Sequence, residues 1–475
     1  MIKRTDNLSE SSITKSLVTL AVPIILANIL QAGYQLIDAF WVGRIGSTAV
    51  AAVSISGPVI FLTIALGAGL AIAGSTLIAQ YFGAKNQKMV DHVAAQTLLM
   101  IILVSVVLGG IGYVLTPGIL RLMGVAPDVY DMAVGFLRVS FVGLVFNFFF
   151  FMFQSIMRGV GEAKLPVYIV LGTVLLNFIL DPLFIYGWGA IPAMGVMGAA
   201  VATVGTQSIA ALIGLLVLLK GKYGIHLSLD DFKPDFVFIK RAFLLGFPAS
   251  IEQSARALGL TVLTFLIASF GTIQIAAYGV GSNVLRMVMI PAMGLSMAVS
   301  ILVGQNIGAG NIKRAADIGR LGALFGFGVL TGIGVIVFAF APALVGFFVP
   351  GDEAVIAMGS TFLRIISLSW GFMAIQLSLT GVLRASGNMM ATMILALVSQ
   401  WVLQFPLAYA LSKHTALGTN GLWWSFTITN VLIALITMAW YAKGDWKKTM
   451  LTTDEEILTE KVSEEIIIEE GIRQN

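Results

Sequence analysis

The chain has no cysteine and only three histidines, and Asp, Glu, Lys and Arg together fill 11% of its 475 positions. Without cysteine there are no disulfides, thiolate ligands or thiol nucleophiles to consider. His92, His226 and His414 all fall near loops or span ends, so a His-Glu zinc pattern and a Ser/His dyad are both missing. That leaves an intramembrane enzyme little to work with. A nucleotide loop is lacking too. Gly159-Val160-Gly161 and Gly308-Ala309-Gly310 have no following Lys-Ser/Thr and no strand before them, so they read as turns and exclude ATP as the energy source. The N-terminal stretch MIKRTDNLSESSITKSL does not have a removable signal peptide's pattern, and the first apolar span is expected to persist in the mature protein.

What is present is apolar. Hydrophobic residues make up 58% of the chain and the mean hydropathy is +0.95, far outside the range of soluble globular chains. The apolar runs lack period-two alternation, which makes them helices rather than barrel strands. The fold class is therefore an all-α integral membrane protein. We read twelve spans, at roughly 16–42, 49–78, 93–116, 131–156, 165–187, 195–219, 243–270, 274–304, 318–340, 355–383, 390–411 and 420–442. An even number puts both termini on one side. The segments sharing that side carry Lys15, Lys85, Lys88, Lys164, Lys222, Lys313 and Lys448 among many others, while the opposite loops offer Arg44, Arg121 and Lys413. By the positive-inside rule the termini are cytoplasmic and the protein is a multi-pass protein of the cell membrane. The net charge of +4 thus follows topology and requires no nucleic-acid partner.

The chain is also written twice. Moving the second half back by 225 positions superimposes Pro23 on Pro248, Gly69-Leu70 on Gly294-Leu295, Gln80 on Gln305, Gly83-Ala84 on Gly308-Ala309, Lys88 on Lys313 and Pro117 on Pro342. With one further position, Phe136-Leu137-Arg138 meets Phe362-Leu363-Arg364, and Arg158 meets Arg384. A six-helix unit repeated in tandem gives parallel repeats about an axis along the membrane normal, which is a transporter architecture. The expected organisation is an N-terminal cytoplasmic segment (1–15), a six-helix bundle (16–220), a cytoplasmic linker (221–241), a second six-helix bundle (242–445) and an acidic cytoplasmic tail (446–475). The tail reads as a solvated segment or a short amphipathic helix.

Against this apolar background the polar residues inside spans stand out. Asp38 lies within the first span, and a carboxylate at membrane depth is costly unless protonated, paired or facing water. Gln31, Tyr34 and Asp38 recur at helical spacing and share one face. Pro23 interrupts the same span. In the fifth span Asn177 and Asp181 sit at i and i+4 before Pro182, so their oxygens also share a face. The bland reading of that turn is a kinked helix capped by Asp181.

Asn177…Asp181-Pro182, the early Pro23 and Asp38, the GAKNQ and GAGNI loops after Gln80 and Gln305, and MRGVGEAK after the fourth span together resemble the MATE family of multidrug and toxic-compound extrusion transporters, with the prokaryotic DinF-like branch the better match. The resemblance covers about residues 10 to 445. It implies two six-helix bundles in a V, and export of amphipathic, often cationic organic compounds in exchange for protons or sodium ions. Carried over residue by residue, it implies a cation-coupling site at Asp38, Asn177, Asp181 and Thr203, with Gln31 and Tyr34 nearby. A sodium ion at those four residues is one form of that site. No cofactor other than the coupling ion is expected, nor any nucleotide, and the protein is expected to act as a monomer on small amphipathic substrates in the lipid bilayer.

Elementary chemistry supports the site independently. Low dielectric disfavours the charged form of a carboxyl group, so a buried acid can carry a proton, and two close acids titrate as a pair. Asn and Thr oxygens beside them also suit a hard cation, so residue type leaves proton and sodium both open. In the second half Leu263 stands where Asp38 does, and Phe405 or Leu407 in the region of Asp181. Coupling is therefore expected in the first bundle. Glu252 and Arg256 form an i, i+4 pair that reads as an internal ion pair, with a second-bundle site as the other reading; Arg286 is expected to line the cavity or pair with Glu252. The repeated Arg138 and Arg364 read as structural. Phe146 to Phe153, and methionines such as Met287 and Met293, read as helix packing or lipid contact, or else as an adaptable substrate wall. A lipid-linked oligosaccharide or lipid flippase of the same superfamily is the alternative function, although its relatives usually carry more basic cavity residues than Arg256 and Arg286.

Overall fold

A computed structural model describes residues 12–189 and 191–452. The helices are α1 (Ile13–Gly43), α2 (Ser47–Gly83), α3 (Gln87–Leu122), α4 (Pro127–Val142), α5 (Leu144–Gly159), α6 (Lys164–Tyr186), α7 (Val196–Leu219), α8 (Phe236–Ala268), α9 (Thr272–Gly308), α10 (Ile312–Phe348), α11 (Glu353–Ser367), α12 (Trp370–Ala385), α13 (Met389–Leu397), α14 (Phe405–Lys413) and α15 (Thr419–Lys443). Among the described residues ten helices are long and apolar enough to cross a membrane, one of them running unbroken from Met389 to Lys413, and two bent pairs complete twelve spans. The fold class expected from the sequence is the one observed.

The bent pairs occupy matching places in the two halves. α4 and α5 meet at 46° and α11 and α12 at 50°. In the first, the break falls at Gly143, whose missing Cβ leaves room for the Val204 side chain of α7. In the second, Ser369 Oγ donates to the carbonyl of Ile366 (2.9 Å), and Asn430 Nδ2 donates to that hydroxyl (3.0 Å). Side chains thus replace the helix bonds lost at the turn. Elsewhere, Asn86, Asp235, Asp352 and Asn388 accept from a backbone N–H three residues on and cap α3, α8, α11 and α13.

Two sequence expectations change. The linker ends at Asp235, because Asp235 caps α8 and residues 236–241 are already helical. The linker is fastened to α3, where Gln96 donates to the carbonyls of Asp231 (2.9 Å) and Lys233 (2.8 Å) and accepts from Asp235 N (2.9 Å). The expected tail beginning at 446 is not solvated at its start: Trp446 is 1% exposed, whereas positions beyond 452 lie outside the described residues, as does most of the N-terminal segment. The phenylalanine run keeps its packing reading, since Phe148, Phe150, Met152 and Phe153 are buried and Phe148 fills the space left by Gly67.

The repeated residues gather where the two bundles meet. A Cβ on Gly69 of α2 would overlap the backbone at Ser250 of α8, and one on the repeat-related Gly294 of α9 would overlap the side chain of Ile25 of α1. Nearer the helix ends, Gly83 abuts the carbonyl of Gln305 and Gly308 abuts that of Gln80. Gln80 Nε2 donates to Ala385 O (2.7 Å) while Gln305 Nε2 donates to Gly159 O (2.9 Å), which is the same bond exchanged between halves. All these approaches lie toward the face that carries Lys85, Lys88 and Lys313. Arg138 and Arg364 are structural as expected: they stack on the repeat-related rings of Tyr113 (4.8 Å) and Phe338 (5.9 Å).

Candidate functional site

The first-bundle polar residues converge toward the end of the bundle remote from that basic face. α1 brings Tyr34 and Asp38, α6 brings Asn177 and Asp181, and α7 brings Thr203. Asn177 and Asp181 are fully buried. Their i, i+4 spacing lets Asn177 Nδ2 donate to Asp181 Oδ1 (3.0 Å) along one face of α6. The helix runs through Pro182 to Tyr186, so Asp181 does not cap a break. Thr203 Oγ1 donates to Asp38 Oδ2 (3.4 Å), and the Asp38 carboxyl is also in reach of Asp181 and Asn177. All four expected cation-coupling residues therefore meet in one cluster.

Three oxygens in the cluster, Asp38 Oδ1, Asn177 Oδ1 and Asp181 Oδ2, are buried and have no hydrogen-bond partner. A buried acceptor left unpaired costs about 1–3 kcal/mol, so three together form a site short of positive charge or donors. One proton would turn a carboxyl into a donor, and a hard cation would supply the positive charge that such oxygens take as ligands. The donor set fits either. Around it, the buried Tyr34 shares a hydrogen bond with Thr206 (2.6 Å), whose hydroxyl donates to the Thr203 carbonyl (2.9 Å). Thr206 was legible as one more polar residue a turn beyond Thr203, but nothing local marked it as Tyr34's partner. Gln31 is half-buried one turn before Tyr34, and Pro23 lies two turns earlier again, within an unbroken α1. Trp41 closes the end of the cluster against Phe178 (5.8 Å) and Tyr186 (6.3 Å).

The second bundle is built differently. Glu252 is fully buried and accepts from Arg384 Nη2, from Arg384 Nε (3.4 Å) and from Arg256 Nη2 (3.3 Å). Glu252 and Arg256 form the expected ion pair, but the fuller partner is Arg384, from the end of α12. Arg286 is exposed on α9 and does not pair with Glu252, which corrects the pairing expectation and leaves the cavity-lining one. Arg384 was visible in the sequence only as the repeat of Arg158; its pairing depends on the end of α12 coming within side-chain reach of α8, 132 positions away in the chain. In the region matching Asn177–Asp181 the chain winds as a π-helix over Val398–Gln404. Gly259 leaves room there for Gln400, and Gln404 Nε2 donates to Ser425 Oγ (2.9 Å). A wider turn with amides thus replaces the acidic turn of the first half.

Comparison with known proteins gives consistent matches along the chain. A family model described as MatE matches residues 23–183 and 248–410, two stretches that begin at the repeat-related Pro23 and Pro248. The chain is 30% identical over 452 residues to the probable multidrug resistance protein YoeA of Bacillus subtilis, covering 94% of this chain and 97% of that protein. It is 27% identical over 449 residues to the probable multidrug resistance protein NorM of Thermotoga maritima, covering 94% and 96%. Among solved structures it is similar, at 25% identity and a TM-score of 0.86, to the outward-facing conformation of a multidrug resistance MATE family transporter of the MOP superfamily, covering 94% of this chain and 99% of that one.

Proposed function

The chain belongs to the MatE family, and from that membership we propose that it is a multidrug efflux antiporter of the cell membrane, exporting amphipathic, often cationic organic compounds in exchange for protons or sodium ions. The coupling ion binds in the first bundle at Asp38, Asn177, Asp181 and Thr203. One observation carries this assignment: the three unpartnered oxygens buried between α1, α6 and α7. A cation arriving there supplies the positive charge this cluster lacks, so its occupancy favours the arrangement in which the helices are drawn together. Its departure to the other side of the membrane restores the mutual repulsion of Asp38 and Asp181 and favours the looser one. Alternation between two such states exchanges cation for substrate, provided the substrate prefers the state that the cation does not.

The basic face is the cytoplasmic one, with both termini on it, because that is where the loop lysines and arginines concentrate. In this arrangement the bundles are closed toward the cytoplasm by the exchanged Gln80 and Gln305 bonds. The Glu252–Arg384–Arg256 cluster supports packing of the second bundle and does not take up the coupling ion. The protein works as a monomer, each bundle supplying half of the path.

The experiment is dye efflux from proteoliposomes with a proton gradient or a sodium gradient imposed alone, for the intact chain and for Asp38→Asn. Efflux under one gradient, lost in Asp38→Asn, is the expected result. Undiminished gradient-driven efflux by Asp38→Asn overturns the site, and no efflux under either gradient overturns the coupling.

A further inference from the structure

Over residues 444–452, the described residues beyond the last span, the chain stays against the protein. Gly444 adopts a left-handed conformation (φ +81°) that turns the backbone back after α15. Trp446 then packs flat on Tyr441, with ring centres 5.3 Å apart, and its Nε1 donates to the Tyr441 carbonyl (3.1 Å). Trp446 belongs to the buried cluster shared with α9, α10 and α12. Five residues later the same segment has crossed to the bundle junction. Leu451 N donates to Gln80 Oε1 (2.9 Å), and Arg241 Nη2 reaches the Leu451 carbonyl (3.5 Å). The Leu451 side chain occupies the space beside Gly387, where a Cβ would lie 2.8 Å from it.

Gln80 is thereby held from both ends of its amide. Its nitrogen donates to Ala385 in the second bundle, and its oxygen accepts from the C-terminal segment, which is itself rooted in the second bundle through Trp446. Gln80 is fully buried, so neither bond is easily exchanged for water. Separating the bundles on this face must pull Gln80 away from Ala385 and from Leu451 together.

We propose that residues 444–452 form a strap across the cytoplasmic junction of the two bundles, and that the strap must release Gln80 before this face opens to admit substrate. The strap is bonded to Gln80 only while the face is closed, so it lowers the open population by its own contribution to the closed state. It is a brake on the cytoplasmic half of the cycle. The inference rests on the two-bundle alternation proposed above, but it is tested without any gradient or substrate, so a failure of the coupling assignment would leave its outcome readable.

The absence of cysteine makes the test direct. Lys88→Cys and Lys313→Cys, both exposed and related by the repeat at the starts of α3 and α10, carry spin labels that report the separation of the bundles on this face. Distances are compared among the otherwise intact chain, Leu451→Pro, which has no N–H to offer Gln80, and a chain ending at Lys448. Both variants should enrich a longer-distance population roughly tenfold, as expected for one lost buried hydrogen bond and its packing. A second readout is a single cysteine at the buried Ser386, beside Ala385, which should react faster with an impermeant maleimide on the cytoplasmic side once the strap is cut. Distances and reactivity unchanged in the Lys448 truncation, which keeps every span, overturn the proposal. Longer distances there, in a protein that still purifies as a single folded species, support it.

Discussion

Glu252→Gln distinguishes a structural role of the second-bundle cluster from a role in coupling. The carboxylate is fully buried and is held by Arg384 through two nitrogens and by Arg256 through one, at 3.3 Å. Glutamine keeps the size of the side chain but removes its charge, leaving the guanidinium groups of Arg256 on α8 and Arg384 on α12 around a neutral amide. Breaking a buried ion pair from one side costs about 3–5 kcal/mol, and the two like charges left there place this variant toward the upper end. Arg256→Gln should be milder, about 1 kcal/mol, because the Arg256 side chain is 24% exposed, makes a single contact, and leaves Arg384 still paired with Glu252. Removing both halves of the main pair, as Glu252→Leu with Arg384→Leu, should recover much of the loss, since a buried pair replaced by apolar groups is often close to neutral. The assay is the melting temperature in detergent, followed by size-exclusion chromatography, with gradient-driven efflux measured per folded protein. The expected order of stability is intact chain, Arg256→Gln, double variant, Glu252→Gln, with efflux per folded protein largely retained. Should Glu252→Gln melt like the intact chain yet lose efflux, the carboxylate would be a coupling group and the structural reading would be wrong.

Asp38→Asn and Asp181→Asn keep shape and most hydrogen bonding but cannot gain or lose a proton, so each should abolish gradient-driven efflux while the protein still purifies as a single folded species. Thr203→Ala removes one long hydrogen bond (3.4 Å) and should weaken coupling by about 1 kcal/mol, read as a severalfold higher ion concentration for half-maximal efflux. Gly83→Ala and Gly308→Ala each drive a methyl into a carbonyl of the opposite bundle and should lower the melting temperature, whereas Gly33→Ala, with open space around its Cα, should not. Because Pro23 cannot donate to the helix ladder, distances across α1 should change between acidic and alkaline pH as Asp38 gains and loses its proton, and Pro23→Ala should reduce that change; identical distances at both pH values would leave Pro23 a passive feature of the helix.

Much of this protein was written locally. Spans follow from apolar runs because a helix in lipid must satisfy its own backbone, so composition over about twenty residues is enough to find one. Duplication followed from residues matched at one spacing, and the structure supplies the reason for the matches: Gly69 and Gly294, Gln80 and Gln305, and Gly83 and Gly308 line the surface where two copies of one unit must meet. The candidate cation site was legible because Asp38, Asn177 and Asp181 are costly where they stand, and cost at membrane depth is visible residue by residue.

Other features depend on which helices lie side by side, and no local pattern encodes that. The breaks at Gly143 and Ser369 look like ordinary positions until Val204 and Asn430 are seen against them. Glu252 had a partner four residues away and took a better one 132 positions along the chain. Gln80 was a matched residue in a repeat, and only packing revealed that both ends of its amide are occupied, one by the opposite bundle and one by the chain's own C-terminal segment. Sequence alone determined the spans, their duplication and the residues too polar to sit in lipid unexplained, since those depend on transfer of each residue from water. Tertiary structure decided the pairing of charges, the junction of the bundles and the path of the last described residues, since those depend on distances between groups far apart in the chain.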